Sequence, residues 1–327
     1  MIVYILKRLA GAVPLTFGLL TLTFFLIRLA PGDPTAMYID PNIDPDAADR
    51  MRENLGLNDP LMVQYGKWLG IIPPFEGVWQ GEFGISFSKH RPVFDIVLES
   101  TGNTLLLTGG ALCVDLVVGV LIGIVAALNR EKKMDHIITV GSLFFYSMPH
   151  FWLALMLILI FSLGLGWLPA SQMHSVNVDQ LSTPAYIGDM ISHMIMPVFV
   201  LGIASAASTV RYMRSSMLEV IKQDYIRTAR AKGLSERKVI YRHALRNALL
   251  PLITIIGLSF PFLLSGAVIT EVIFAWPGMG RVTVDAIFAR DYPLIIANTL
   301  VAGVMVIVGN LLADVLYALA DPRIKLR

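Results

Sequence analysis

Six apolar runs, roughly 9–30, 103–128, 137–165, 192–210, 249–274 and 293–320, alternate with polar segments along this 327-residue chain. Each is long enough to cross a hydrocarbon layer as a helix, which takes about 20 apolar residues. The pattern predicts an all-α integral membrane protein with six transmembrane helices. No internal repeat relates one half of the chain to the other, which argues against a carrier built from repeated halves. The first run follows Lys7 and Arg8 as a secretion signal would. It is too long for one, however, and ends in Arg28-Leu-Ala-Pro-Gly-Asp33 in place of a small-residue cleavage site, so it reads as a retained anchor.

Composition agrees with lipid as the solvent: 55% of residues are hydrophobic, 15% are charged and mean hydropathy is +0.67. The 26 Lys and Arg are distributed unevenly. With the N-terminus inside, 18 fall in inner segments and 7 in outer ones, with Arg28 at the end of the first run. This positive-inside bias places both termini in the cytoplasm. Asymmetry carries this information; the net charge of +2 does not. This cytoplasmic placement explains the basic loop without nucleic acid. The lone cysteine, Cys113, excludes an intrachain disulfide or a cysteine metal cluster.

The polar segments differ in kind. Residues 31–101 are rich in proline and hold apolar clusters such as Tyr65, Trp68 and Leu69, which predicts a small extracytoplasmic cap. A second outer loop spans 166–191, and a third, 275–292, contains Trp276-Pro-Gly-Met-Gly280, a helix-ending and turn-forming cluster. Between Arg211 and Asn247 stand ten Lys/Arg against Glu219, Asp224 and Glu236. Within it, Gly233 can supply the left-handed residue that closes one helix, and Ser235 with Glu236 suits the N-cap and first turn of the next. The expected element is helix, tight turn, helix, projecting from the membrane to dock on a partner.

Three separated blocks carry a resemblance: Leu26-Ile-Arg-Leu-Ala-Pro-Gly-Asp-Pro34; Tyr225-Ile-Arg-Thr-Ala-Arg-Ala-Lys-Gly-Leu234 running on to His243-Ala-Leu-Arg-Asn-Ala-Leu-Leu-Pro251; and Glu271-Val-Ile-Phe-Ala-Trp-Pro-Gly-Met-Gly280 with Arg290-Asp-Tyr-Pro293. Leu55-Gly-Leu-Asn-Asp-Pro60, Gly84-Ile-Ser86 and Asp314-Val-Leu-Tyr-Ala-Leu-Ala-Asp-Pro-Arg323 add to it. In order and spacing the whole chain resembles the inner-membrane permeases of ABC importers for dipeptides, oligopeptides and nickel.

The resemblance implies the type I importer permease fold in a bacterial or archaeal cytoplasmic membrane. Its parts would be an N-terminal segment and first helix (1–30), the cap (31–101), and a core of five helices (102–327) with the coupling loop at 211–248. It also implies that the hairpin matches the importer coupling motif, Glu-Ala-Ala, three residues, then Gly. Here Arg227, Thr228 and Ala229 stand in the first three places and Gly233 in the last. Arg-Thr replaces Glu-Ala, and the later Leu-Pro appears as Leu245-Arg246 with the proline delayed to Pro251, variants that look like the peptide branch. On this reading Arg227, Arg230, Lys232 and Arg237 face acidic groove residues of an ATPase, beside Glu236. Implied partners are a homologous second permease, two ABC ATPase subunits and an extracytoplasmic binding protein. The permease subunit itself is non-catalytic, and ATP and Mg belong to the ATPases. Consistent with that, the chain has no phosphate-cradling loop: its only Gly-Lys, Gly66-Lys67, is followed by Trp68.

Within the apolar runs, Asp115 is costly to bury, by about 2.5–3.5 kcal/mol on insertion scales. It either lines a translocation path or bonds a neighbouring helix. Glu271 opens the Trp-Pro-Gly loop as a gate or as a structural hydrogen-bonding group, and Asp314 either borders the translocation path or ties the last helix to a basic residue such as Arg323 or to the hairpin. Met173-His174 and His193-Met194-Ile195-Met196 offer soft donors that nickel would accept, although the same residues fit peptide permeases. Nickel complexes, glutathione and oligosaccharides are the alternative substrates. An intramembrane enzyme would need a site such as His-Glu-x-x-His, absent here, and an ATP-independent channel would have no use for the hairpin.

Overall fold

The computed structural model describes residues 2–29, 58–73, 77–252 and 267–320. Residues 30–57 of the outer segment, 253–266 of the fifth apolar run and the terminal 321–327 with Arg323 lie outside the described residues. In chain order the helices are α1 (Ile2–Leu29), α2 (Leu61–Leu69), α3 (Val93–Leu128), α4 (Lys133–Ser147), α5 (His150–Leu157), α6 (Thr183–Ile221), α7 (Asp224–Ala231), α8 (Glu236–Lys238), α9 (Leu245–Ala248), α10 (Val268–Ile273), α11 (Met279–Phe288) and α12 (Tyr292–Ala320). Among the described residues there is no strand beyond a single bridge between Ile85 and Pro92.

Among the described residues, three helices are long and apolar enough to span a bilayer: α3, α6 and residues 292–315 of α12. The 28-residue α1 also carries an apolar stretch, Ala10–Leu26. The run at 137–165, expected as one span, is instead broken, with α4 and the helix beginning at His150 meeting at 99°. Met148 and Pro149 explain the corner. Proline has no N–H to donate and pushes its predecessor out of the helical region, and both residues are extended, with ψ of 127° and 128°. Beyond it, α5 continues as a π-helix over Ile158–Gly164.

The centre of the fold is the pairing of α3 with α6, made possible by residues without bulk. A methyl on Gly119 would sit 2.5 Å from Thr209 Cγ2, one on Gly123 2.6 Å from Met213 Cβ, and one on Gly202 2.8 Å from Val114. Gly202, Ala204, Ala206 and Ala207 are buried in this seam, while Ser205 faces out. In an apolar solvent, helices gain little from hiding greasy surface, so close backbone approach and dispersion contacts hold such a pair together. An ion pair pins α4 alongside: Arg214 of α6 donates to both oxygens of the buried Asp135, at 2.6 and 2.7 Å.

At the other side, α1 lies along α12. Helix α2 stacks Tyr65 and Trp68 on Phe24 of α1, and the Tyr65 hydroxyl bonds Thr21 at 2.6 Å. This much of the outer segment therefore packs on the helices, as its aromatic cluster predicts.

The seam sets a sharp tolerance. Gly123→Ala pushes a methyl against Met213 and to 2.9 Å from the Val210 carbonyl, and should cost about 1–3 kcal/mol, read as a lower melting temperature in detergent. Gly141→Ala, with nothing within 4 Å of the new methyl, should leave the melting temperature unchanged or slightly raised.

Candidate functional site

The basic loop folds as the expected hairpin. Helix α7 buries Ile226 and Ala229, three residues apart and so on one face, and the return limb buries Val239, Ile240, Ala244 and Ala248. These side chains form one cluster with Ile124 and Ala127 of α3 and Met213 and Met217 of α6. The hairpin is thus seated on the ends of the two central helices. Ser216 of α6 fastens it further by donating to the Ala248 carbonyl at 2.8 Å.

Its other face is open. Arg227, Thr228, Arg230, Lys232, Gly233, Glu236 and Arg237 are all exposed, as a docking surface requires. Ala229 is the exception: it lies in the core beneath and supports the surface without forming part of it. At the tip, Gly233 has φ of +75° with open space around it. Its conformation, more than the close approach of a neighbour within this chain, accounts for glycine there. Ser235 occupies the N-cap position but makes no side-chain capping bond. An ion pair closes the turn from outside, with Arg230 donating to both Glu236 oxygens at 2.6 and 3.2 Å. Arg227 is 3.4 Å from Asp224, whereas Lys232 and Arg237 meet no carboxylate among the described residues.

The Arg230 guanidinium holds the Glu236 carboxyl below the usual glutamate range, against a smaller opposing effect of burial. Because the shift is downward, the stabilisation is fully present above the ordinary glutamate value and is lost only as pH falls through the lowered one. The tip is insensitive to pH near neutrality.

At the far end of α3, Glu271 is fully buried within a network of hydrogen bonds. Thr104 donates its hydroxyl to one carboxylate oxygen at 2.9 Å, and the backbone N–H of Arg281 donates to the other at 3.0 Å. The Met279 N–H donates to the Thr104 hydroxyl at 2.8 Å. Glu271 and Thr104 therefore satisfy the first turn of α11, where orphan N–H groups and the helix dipole favour negative charge. Methyls on Gly278 and Gly280 would fall 2.5 and 2.8 Å from the Glu271 carboxylate, which is the steric reason for glycine at both places in Trp276-Pro-Gly-Met-Gly280. Trp276 is buried, with its indole N–H on the Asn103 carbonyl at 2.9 Å.

A second buried acid does the same work nearby. Asp291 accepts from Ser86 at 2.5 Å and from the Ser88 backbone and hydroxyl at 2.9 and 2.7 Å. The quoted blocks Gly84-Ile-Ser86 and Arg290-Asp-Tyr-Pro293 are thus one joint. Both blocks are visible in the sequence but their contact is not, because nothing local pairs positions so far apart.

Asp115 and Glu271 lie apart on the fold. The Asp115 carboxylate lies near the Thr209 hydroxyl across the α3–α6 seam, with its Oδ1 buried and without a hydrogen-bond partner among the described residues, about 16 Å along α3 from Thr104 at 1.5 Å per residue. Asp314 is half-buried on α12. His174 and His193 both turn toward Asp189, His174 at 3.2 Å from its carboxylate and His193 at 2.9 Å from its backbone carbonyl. Among the described residues no group of three or more His, Cys, Asp or Glu is arranged to hold a metal ion.

Comparison with known proteins accounts for this arrangement. The family model described as binding-protein-dependent transport system inner membrane component matches residues 119–326, and the N-terminal model for membrane components of such systems matches residues 1–108. The chain belongs to this permease family. The oligopeptide transport system permease protein AppB of Bacillus subtilis is 44% identical over 326 residues, covering 99% of this chain and 100% of the relative. The di/tripeptide transport system permease protein DppB of Pseudomonas aeruginosa is 40% identical over 339 residues, and the glutathione transport system permease protein GsiC of Escherichia coli K12 is 38% identical over 325; each alignment covers 99% of both chains. The permease is a multi-pass protein of the inner membrane and a transport component rather than an enzyme.

Substitutions at two positions test the geometry of this permease. Glu271→Ala strands the Arg281 N–H and the Thr104 hydroxyl and should destabilise by about 1.5–3 kcal/mol, with Glu271→Gln costing less; thermal unfolding in detergent measures both. At the tip, Gly233→Asn keeps a residue that accepts φ near +75°, whereas Gly233→Val does not. Hydrogen exchange across 232–236 should match wild type in the first and accelerate in the second.

Proposed function

We propose that this chain is the transmembrane permease subunit of an ATP-driven importer of short peptides, forming the pore with a homologous permease and working by alternating access. The observation that carries this reading is the end-to-end similarity to permeases named for oligopeptides and di/tripeptides, joined to a projecting basic hairpin with its charged face open. In the full assembly the chain crosses the membrane six times, with the termini and the 211–248 loop in the cytoplasm and the 31–101 cap outside. Two ATPase subunits bind ATP and Mg, and an extracytoplasmic binding protein delivers the substrate.

Coupling follows from how the hairpin is mounted. Lys232 and Arg237, free of carboxylates among the described residues, meet acidic groove residues of an ATPase, and Arg227, Thr228, Arg230 and Glu236 line the same surface. The apolar cluster beneath converts movement of that surface into movement of α3 and α6. When ATP draws the ATPases together, the central helices open outward beneath the binding protein; hydrolysis returns them. Glu271 keeps the Trp276–Gly280 loop rigid on α3, so that the loop moves with the helix.

Glutathione is the second reading, favoured by the 38% identical glutathione permease; as a tripeptide with one unusual linkage it belongs to the same chemical class.

ATP-dependent uptake of a radiolabelled dipeptide into proteoliposomes holding all subunits is the test. Wild type should transport. Gly233→Asp, whose side chain tolerates the left-handed turn but brings a carboxylate to an acidic groove, should abolish uptake while the complex still assembles. Normal uptake by the variant would remove the coupling role from the hairpin. Wild type that transports glutathione but no dipeptide would move the substrate to the second reading.

A further inference from the structure

At the base of the hairpin, away from its tip, lies an open groove of about 430 Å³ lined by Tyr225, Arg242, His243, Arg246, Asn247 and Leu250. It holds two guanidinium groups and an imidazole and has no carboxylate in its walls. Arg242 and Arg246 are exposed and form no ion pair among the described residues. They stand one turn apart where the π-helix Val239–Ala244 passes into α9, so both cations point to the same side. The opposite wall is polar and pre-set: Asn247 donates to the Tyr225 hydroxyl at 2.7 Å, which leaves the hydroxyl hydrogen of Tyr225 directed elsewhere. Two guanidinium forks and a phenolic donor around one space suit the tetrahedral oxygens of a phosphate.

Depth decides which phosphate. The groove sits where α9 leads through Leu249, Leu250 and Pro251 into the apolar run at 249–274, so it borders the change from the polar loop to a segment long enough to span a bilayer. Leu250 is exposed at its rim and gives an acyl chain or glycerol an apolar edge to lie on. We propose that this groove binds the phosphate of an anionic phospholipid of the adjacent leaflet, fastening the base of the hairpin to the membrane surface while its tip stays free to dock. The proposal rests on the 211–248 loop facing the cytoplasm, and its lipid readout needs no ATPase.

The full chain in nanodiscs of mixed phosphatidylglycerol and phosphatidylcholine is released for native mass spectrometry, and the lipid retained is counted. Wild type should keep phosphatidylglycerol in preference to phosphatidylcholine. Arg242→Gln with Arg246→Gln should weaken that preference roughly 25-fold, the value for about 1 kcal/mol per basic residue near an anionic surface. Arg242→Lys with Arg246→Lys, which keeps the charge but not the planar forks, should retain part of the preference, between wild type and the double glutamine variant, and guards against simple misfolding; Lys89→Gln, at the opposite end of the molecule, should change nothing. Equal retention of both lipids by wild type, or an unaltered preference in the double glutamine variant, overturns the proposal. Displacement of the lipid by an equal concentration of inorganic phosphate assigns the groove to free phosphate and overturns the lipid assignment. If the double variant loses ATPase subunits while keeping its phosphatidylglycerol, the groove belongs to the protein partner. Failure of wild type to bind ATPases at all would count against the coupling role alone.

Discussion

The close approach of α3 and α6 is the constraint on which the rest of this permease depends. Gly119, Gly123 and Gly202 give up side-chain volume so that one helix can lie in the groove of the other. At one end of the pair, Ile124, Ala127, Met213 and Met217 form the seat for the hairpin. At the other, Asn103 and Thr104 of α3 hold the Trp276–Gly280 loop. Were the two helices further apart, Ile226 and Ala229 would lose part of the floor they pack on, and hairpin and membrane core would become separate bodies.

Buried acids do the joining elsewhere, and they do so in one manner. Glu271, Asp291 and Asp135 are each almost wholly removed from solvent, where an unsatisfied carboxylate is too costly to persist. Each is surrounded by donors: backbone N–H groups and hydroxyls for the first two, a guanidinium for the third. Charge here serves local architecture. These acids fix the entrance angles of short helices and loops that have too little apolar surface to hold their own positions.

Much of this was legible from the residue pattern. Hydrophobic runs located α3, α6 and α12, and turn chemistry located Gly233, because period and left-handed backbone are local properties. The Met148–Pro149 corner was also written locally, yet a 29-residue apolar run from 137 to 165 masked it: hydropathy averages over a break that a single proline makes. The Ser86–Asp291 and Thr104–Glu271 bonds were not legible at all, since they join positions more than 160 residues apart. Likewise the burial of Ala229 depends on which side of α7 meets α3 and α6, and an eight-residue helix rich in Arg conceals that choice.

Helix α6 runs through 39 residues, with Pro197 inside it, from Thr183, one to two turns before the Asp189 carboxylate that gathers Ser175 and His174, to the base of the hairpin. At 1.5 Å per residue that is about 58 Å, close to twice the hydrocarbon thickness. A rod of this length held near its middle works as a seesaw. Tilting it by about 5° shifts each end by roughly 2.5 Å in opposite directions, so a small displacement at the hairpin reappears, reversed, at the loop that Asp189 holds.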